Sequence, residues 1–340
     1  MSIHLALEIG GGALPDTEAV AVAEAAGCAL VTINDSPLSP SPEAGVRAGF
    51  LARRTRRVGL APTLHPALTE PFHLATQLAA LDHASQGRGA WVVGTENSAA
   101  AQATIGGTPV SDLEQEIADV IDVARLLWDS WEDDAVVRDV ASGRFLDPDR
   151  VHHVNFTGER FSVVGPLITP RPPQGQLVVL APDTLTDKSD IALVAAPTLD
   201  EVAARAEAAR AANIPLAFAE LDVALGPADR GGSGRAESFF GGGRAGVGGA
   251  EGDRIDGGGA EADRADRDAR LRFAGGEDEF RALLNRLEGI VDGVRIHPVD
   301  LAIDLPRLAV ATRRGPVSGP TLRDTLGLPR PANVFAGEPR

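Results

Sequence analysis

The sequence predicts an α/β protein built as a (β/α)8 TIM barrel, and three observations carry that prediction. Strand-length apolar runs alternate with helix-length amphipathic stretches along most of the 340 residues. Eight such runs occur, the number that closes a parallel barrel. The rival, a doubly wound open sheet, usually has fewer strands and a G-x-G-x-x-G first turn, and "GGG" at 10–12 lacks that spacing.

In chain order, "IHLALEI" (3–9) reads as the first strand and "DTEAVAVAEAAG" (16–27) as a helix closed by Gly27. "ALVTI" (29–33) is the second strand, with a helix over 43–56. "RVGLAPTL" (57–64) is the third, followed by a helix from Pro71 to about Ser85; proline suits a first helical turn. "GAWVVG" (89–94) is the fourth. Ser111 and Glu114 form a capping-box pattern ahead of the clearest helix. In it Ile117, Val120, Ile121, Ala124, Leu127 and Trp128 recur at three- and four-residue spacing. That face suits the barrel shell better than a dimer interface. Residues 132–176 read as an irregular insertion with a hairpin around "ERFSVVG". "LVVLA" (177–181), "IALVAA" (191–196), a helix over 198–212, "IPLAFAEL" (214–221), a helix over 277–290 and "DGVRI" (292–296) complete a single domain. Residues 316–340 form a C-terminal tail.

Two places break the pattern. Parallel neighbours need a crossover of a dozen or more residues, usually a helix. Yet only 182–190, with Pro182 and a run of Asp and Thr, lie between strands five and six. That crossover helix is expected to be shortened or missing. Residues 226–259 hold 14 glycines, too little apolar area to offset backbone ordering, so about 226–270 read as a disordered, low-complexity loop.

A net charge of −16 argues against nucleic-acid binding, which needs a basic face. No run of eighteen apolar residues and no signal-peptide pattern appear, so the expectation is a cytoplasmic protein without a membrane span. A single cysteine, Cys28, excludes an internal disulfide and a cysteine-built zinc site. His73 and His83, ten apart on a helix, do not share a face, and His152 and His153 are neighbours, so no metal is expected. No G-x-S-x-G nucleophile elbow is present.

Barrel ligands sit at the carboxyl ends of the strands. Asp35 and Ser36 follow strand two, Thr63 and His65 end strand three, and Thr95, Glu96 and Asn97 end strand four. Helix capping explains many such polar residues, but it does not call for His65 or Glu96.

The run "RRVGLAPTLHPALTEPFHLATQLAALDHASQGRGAWVVGTENSAAA" (56–101) resembles the bacterial-luciferase-like flavin monooxygenases, in the branch of nitrilotriacetate and dibenzothiophene-sulfone monooxygenases. The blocks 126–176, "DGVRIHPVDLAIDLPRLA" (292–309) and "GPTLRDTLGLPRPAN" (319–333) follow in family order. The resemblance implies a monooxygenase using reduced FMN and O2 on a small organic substrate. A separate flavin reductase would supply the reduced flavin, a deazaflavin is the alternative cofactor, and a homodimer is implied as the assembly. It implies flavin contacts at Asp35, Thr63, Thr95 and Glu96 and leaves the catalytic residues unassigned.

Departures accompany the resemblance. The family's W-N-V-V-T-S is "WVVGTE" here, so Val92 replaces an amide and Glu96 a hydroxyl. An H-x-x-R-Y ahead of the long helix is replaced by "VSDLE" (110–114). The family's phosphate-receiving turn and helix give way to "PDTLTDKSD" (182–190), where Lys188, the only lysine, is the remaining candidate charge. A second reading therefore stands beside the first: a family member that has lost flavin binding and serves as a non-catalytic or partner subunit.

Overall fold

A computed structural model describes residues 3–10, 14–226, 269–312 and 319–337. Eight parallel strands close the barrel: β1 (His4–Ile9), β2 (Leu30–Ile33), β3 (Gly59–Leu64), β4 (Ala90–Val93), β9 (Val178–Pro182), β10 (Ile191–Val194), β11 (Leu216–Leu225) and β13 (Gly293–Pro298). β13 pairs back onto β1, with His4 opposite Gly293, which shuts the ring. All eight predicted strands are present. The insertion supplies two antiparallel ribbons, β5 (Val136–Asp139) with β6 (Arg144–Leu146) and β7 (Phe156–Thr157) with β8 (Ser162–Val163). The second is the hairpin expected around 159–165. An unpredicted strand, β12 (Leu271–Gly275), pairs with the upper half of β11, whose lower half pairs with β10.

The helices α1 (Asp16–Ala25), α2 (Ala44–Ala52), α3 (Pro71–Ser85), α4 (Ala99–Ala103), α5 (Leu113–Asp129), α6 (Leu199–Ala211), α7 (Glu277–Leu287), α8 (Leu301–Thr312) and α9 (Leu322–Leu326) surround the barrel or lie at its ends. α5 corrects the predicted cap. Asp112, not Ser111, caps it, accepting from Gln115 N at 3.0 Å. The helix starts one residue later than the Ser111–Glu114 pattern implied, and the Gln115 side chain donates to Asp119 at 2.8 Å rather than returning to the cap. Its apolar face packs on α3 and the sheet: Trp128 is fully buried and its indole donates to Ala75 O at 3.0 Å.

Alternation along each strand divides the core. Outward residues such as Leu7, Ile33, Trp91 and Val179 meet the helices, while Ala6, Leu30, Ala61, Val92, Leu180 and Phe218 fill the lumen. Leu322, Leu326 and Leu328 plug the lumen from the amino-terminal end of the strands. The predicted tail is thus part of the core where it is described.

A dense polar network fastens this lower end. Asp82 accepts from Gly89 N, at 3.0 Å, and from the side chain of Gln174, at 2.6 Å. Asp129, fully buried, takes Arg171 Nε at 2.9 Å and Gln176 Nε2 at 2.8 Å. Arg171 continues to Pro331 O at 2.9 Å, and Arg323 reaches Gln176 O at 2.7 Å and Asp190 at 3.0 Å. Burial pushes the Asp82 and Asp129 carboxyls up despite these donors.

No helix stands between β9 and β10. Residues 183–190 run as turns along the shell, with Leu185 packed against the same apolar cluster as α5. Eight extended residues reach about 26 Å, more than the ~17 Å rise of a five-residue strand, so a chain without a helix still returns to the start of β10. The Gly-rich stretch expected to be disordered lies, over 227–268, outside the described residues.

Candidate functional site at the barrel mouth

Thr63 and His65 share the inward face of β3 with Ala61, since side chains alternate along a strand. Both are buried, and Thr63 Oγ1 has no hydrogen-bond partner. His65 Nδ1 accepts from Glu96 N at 3.1 Å, which leaves the ring hydrogen of neutral imidazole on Nε2. Burial lowers the pKa of His65, against the opposing pull of Glu96, so the ring is neutral near pH 7. The main chain of Asp35 favours the proton on the ring, while Nε2 makes no hydrogen bond of proper geometry. Gly94 is required beneath this ring: a Cβ there would stand 2.2 Å from His65 Nδ1.

The sequence-predicted positions divide. Asp35, Thr63, His65 and Glu96 converge where the loops after β2, β3 and β4 meet. Asp35 is half-buried; burial and Glu43 raise its carboxyl pKa, while the amides of Ala44 and Ser36 oppose them. The Glu96 carboxylate turns back to Ser98 N at 2.8 Å, so its main chain rather than its charge addresses His65. Thr95 is exposed. Asn97 fastens the following loop, donating to Val110 O and accepting from Val110 N, both at 2.8 Å.

A second set of groups, unassigned by sequence reasoning, fills the upper lumen. Arg295 on β13 donates to Glu220 Oε1 at 3.1 Å, to Thr32 Oγ1 at 3.0 Å and to Glu8. His297, two residues on, bonds through Nε2 to Glu220. Its Nδ1 stands 3.1 Å from Glu8 Oε1, off the line of a hydrogen bond. Arg270 lies 3.5 Å from Asp222 and 3.8 Å from Glu220. Burial opposes ionisation of Glu8 and Glu220, but Arg295 and His297 outweigh it and hold both carboxyls far below their usual range. The same carboxylates raise His297 against its burial. The signal was in the strands: Glu220 and Asp222 in "AELDV", and Arg295 and His297 in "VRIHP", are charged pairs two apart, hence on one face of otherwise apolar strands.

The crossover between β9 and β10 is different. Lys188 pairs with Asp122 on α5, Arg205 with Asp183, and Arg125 with Asp190 at 3.3 Å. Among the described residues, each cation along this crossover is thus already matched by a carboxylate. The first turn of α6 carries Asp200 and Glu201 rather than a basic group. The mouth therefore offers unmet hydrogen-bonding atoms at Thr63 and His65, whereas the cations along the crossover are taken up by carboxylates.

An eight-stranded barrel with unmet polar groups at the carboxyl ends of its strands defines an enzyme-type ligand site. Residues 15–226 match the family model described as luciferase-like monooxygenase, and the chain belongs to that family. It is similar to N-acetyl-S-(2-succino)cysteine monooxygenase of Bacillus subtilis (strain 168), 39% identical over 133 residues, 38% of this chain and 30% of that protein. Nitrilotriacetate monooxygenase component A of Aminobacter aminovorans is also 39% identical over 133 residues, 38% of this chain and 29% of its own. The matched stretch thus spans less than a third of each relative. The crystal structure of a long-chain alkane monooxygenase superposes with a TM-score of 0.77 over 96% of both chains at 18% identity, a likeness of fold.

Proposed function

We propose that the chain is a flavin-dependent monooxygenase that oxidises a small organic molecule with O2, using reduced flavin delivered by a separate reductase in the cytoplasm. The observation that carries this reading is the pair of buried, unbonded polar atoms at the mouth, Thr63 Oγ1 and His65 Nε2. A buried polar group without a partner costs about 1–3 kcal/mol, and a ligand carbonyl or ring nitrogen at the mouth relieves that cost. Flavin and deazaflavin rings both carry such acceptors. When bound, the flavin would supply the oxygen chemistry, and Thr63 and His65 would hold its ring.

A partner subunit without flavin is the less favoured reading, because it leaves these two atoms unexplained. The test is an anaerobic titration of the protein with oxidised and reduced FMN, riboflavin and a reduced deazaflavin, read by fluorescence or calorimetry. Saturable binding of at least one reduced form is expected. With no phosphate anchor on the crossover, FMN should exceed riboflavin by less than about tenfold, the worth of roughly 1.4 kcal/mol. A folded protein that binds none of the four would overturn the reading.

A further inference from the structure

One buried carboxylate outside the site described above is left short of donors. Glu116, in the first turns of α5, is 7% exposed, and its Oε2 has no hydrogen-bond partner. Its Oε1 lies 3.5 Å from the guanidinium of Arg160, a side chain that is nearly half exposed. Three residues on, Asp119 is equally buried and well supplied: it accepts from Gln115 Nε2 at 2.8 Å and from Glu159 N at 2.7 Å. Residues three apart share a helix face, so two carboxylates stand together with unequal support.

That face of α5 receives the β7–β8 hairpin. The hairpin turn, residues 158–161, closes with Gly158 N on Phe161 O at 3.0 Å. It brings Glu159 N to Asp119 and the Arg160 guanidinium to Glu116. The approach is close, since a Cβ on Gly158 would stand 2.6 Å from Asp119 Oδ2. Beside this polar contact the rings of Phe156 and Phe161, 5.8 Å apart, pack on the apolar cluster that Leu113 also joins. The charged groups facing Glu116 are Asp119 from its own helix and Glu159 and Arg160 from the turn. Burial pushes the Glu116 carboxyl up, Arg160 opposes the rise, and Asp119 and Glu159 add to it.

We propose that Glu116 makes the contact between α5 and the β7–β8 hairpin a pH-responsive latch, in which the charged carboxylate holds the turn loosely and the protonated one lets it pack tightly. Losing the proton leaves a buried charge with one long ion pair beside two like charges. Such a charge costs more than a half-exposed Arg returns. The sign follows from the raised carboxyl. The added stability is complete below the ordinary 4.5 and is lost as pH rises through the folded-state value. The two phenylalanine rings and the donors to Asp119 hold the hairpin in both states, so only the strength of its attachment changes. None of this depends on the flavin reading.

The experiment is hydrogen exchange of the full-length protein read by mass spectrometry, each rate corrected for its intrinsic pH dependence. Peptides covering 156–163 are compared with peptides covering β4. From about pH 5 to about pH 8, hairpin protection is expected to fall severalfold beyond any fall in β4. A hairpin that follows β4, or keeps its protection over that range, overturns the proposal. Glu116→Gln keeps the shape and removes the charge, and is expected to hold at the higher pH the protection the wild type has at the lower. Wild-type pH dependence in that variant overturns the proposal as well. Arg160→Ala is expected to loosen the hairpin at the higher pH and leave it unchanged at the lower. Equal loosening at both would make Arg160 a plain structural contact and remove Glu116 as the switch.

Discussion

Two groups of buried polar side chains, one at each end of the barrel, differ in how fully they are bonded. At the amino-terminal end, Asp82, Asp129, Arg171, Gln174, Gln176 and Arg323 are buried and bonded to one another or to main chain, and the C-terminal segment is drawn in beneath the strands. At the carboxyl end, Thr63, His65 and His297 are as deeply buried, and each keeps an atom without an aligned partner. A saturated network stabilises one arrangement of the chain; an unsaturated one has capacity for something the chain does not contain. The "PRPPQGQ" motif (170–176) is therefore a clamp, although it closes one of the blocks (126–176) that carry the family resemblance.

The largest effect should come from breaking the clamp. Arg171→Leu strands the buried Asp129 charge and releases Pro331 O, and should cost about 3–5 kcal/mol in chemical denaturation. A loss below 1 kcal/mol would mean the lower network is not what holds the C-terminal segment.

At the mouth the sign of the comparison should reverse. Thr63→Val removes an unmet hydroxyl while keeping shape, so stability should hold or rise by up to about 1 kcal/mol. Reduced-flavin affinity should fall about tenfold, the worth of one hydrogen bond. Gly94→Ala should weaken the same binding by displacing the His65 ring, because the added methyl cannot occupy its space. A crystal structure of that variant with an unmoved ring would contradict the assignment.

Proton linkage sharpens the contrast further. The Glu8 and Glu220 pKa values are lowered, so the stability they contribute is present above their ordinary value of 4.5 and lost as pH falls through the folded-state values. His297 is raised, so its contribution is complete below its ordinary 6.5 and lost as pH rises through the folded value. Denaturation midpoints against pH should decline on both sides, and Glu220→Gln should flatten both limbs. At the lower end Asp82 and Asp129 are raised and bend the acid limb the other way, as Asp82→Asn would reveal.

The smallest effect belongs to the crossover. Lys188 and Asp122 form a well-exposed pair, and such pairs contribute about 0–1 kcal/mol. Lys188→Ala should leave stability nearly unchanged and FMN affinity the same. A marked loss of FMN but not riboflavin binding would make Lys188 a phosphate contact after all.

Much of this was legible in one dimension. Apolar runs of strand length, spaced by amphipathic stretches, determined eight strands and their order, and the nine residues between "VVLA" and "IALV" determined that a crossover helix is absent. β12 was not legible, because "LRFAG" (271–275) is short and gains its order by pairing with the upper half of β11. α8 was hidden by Pro306 inside the helix. At the site, strand-end position singled out Thr63, His65 and Glu96, since where a strand stops is a local property. Which of their atoms lack partners is a property of the closed barrel. The charge cluster needed closure most of all: Glu8, Glu220 and Arg295 stand up to 287 positions apart in sequence. Alternation says only that each faces one side of its own strand. Joining β13 to β1 decides that this side is a shared lumen, where ions without water must find each other.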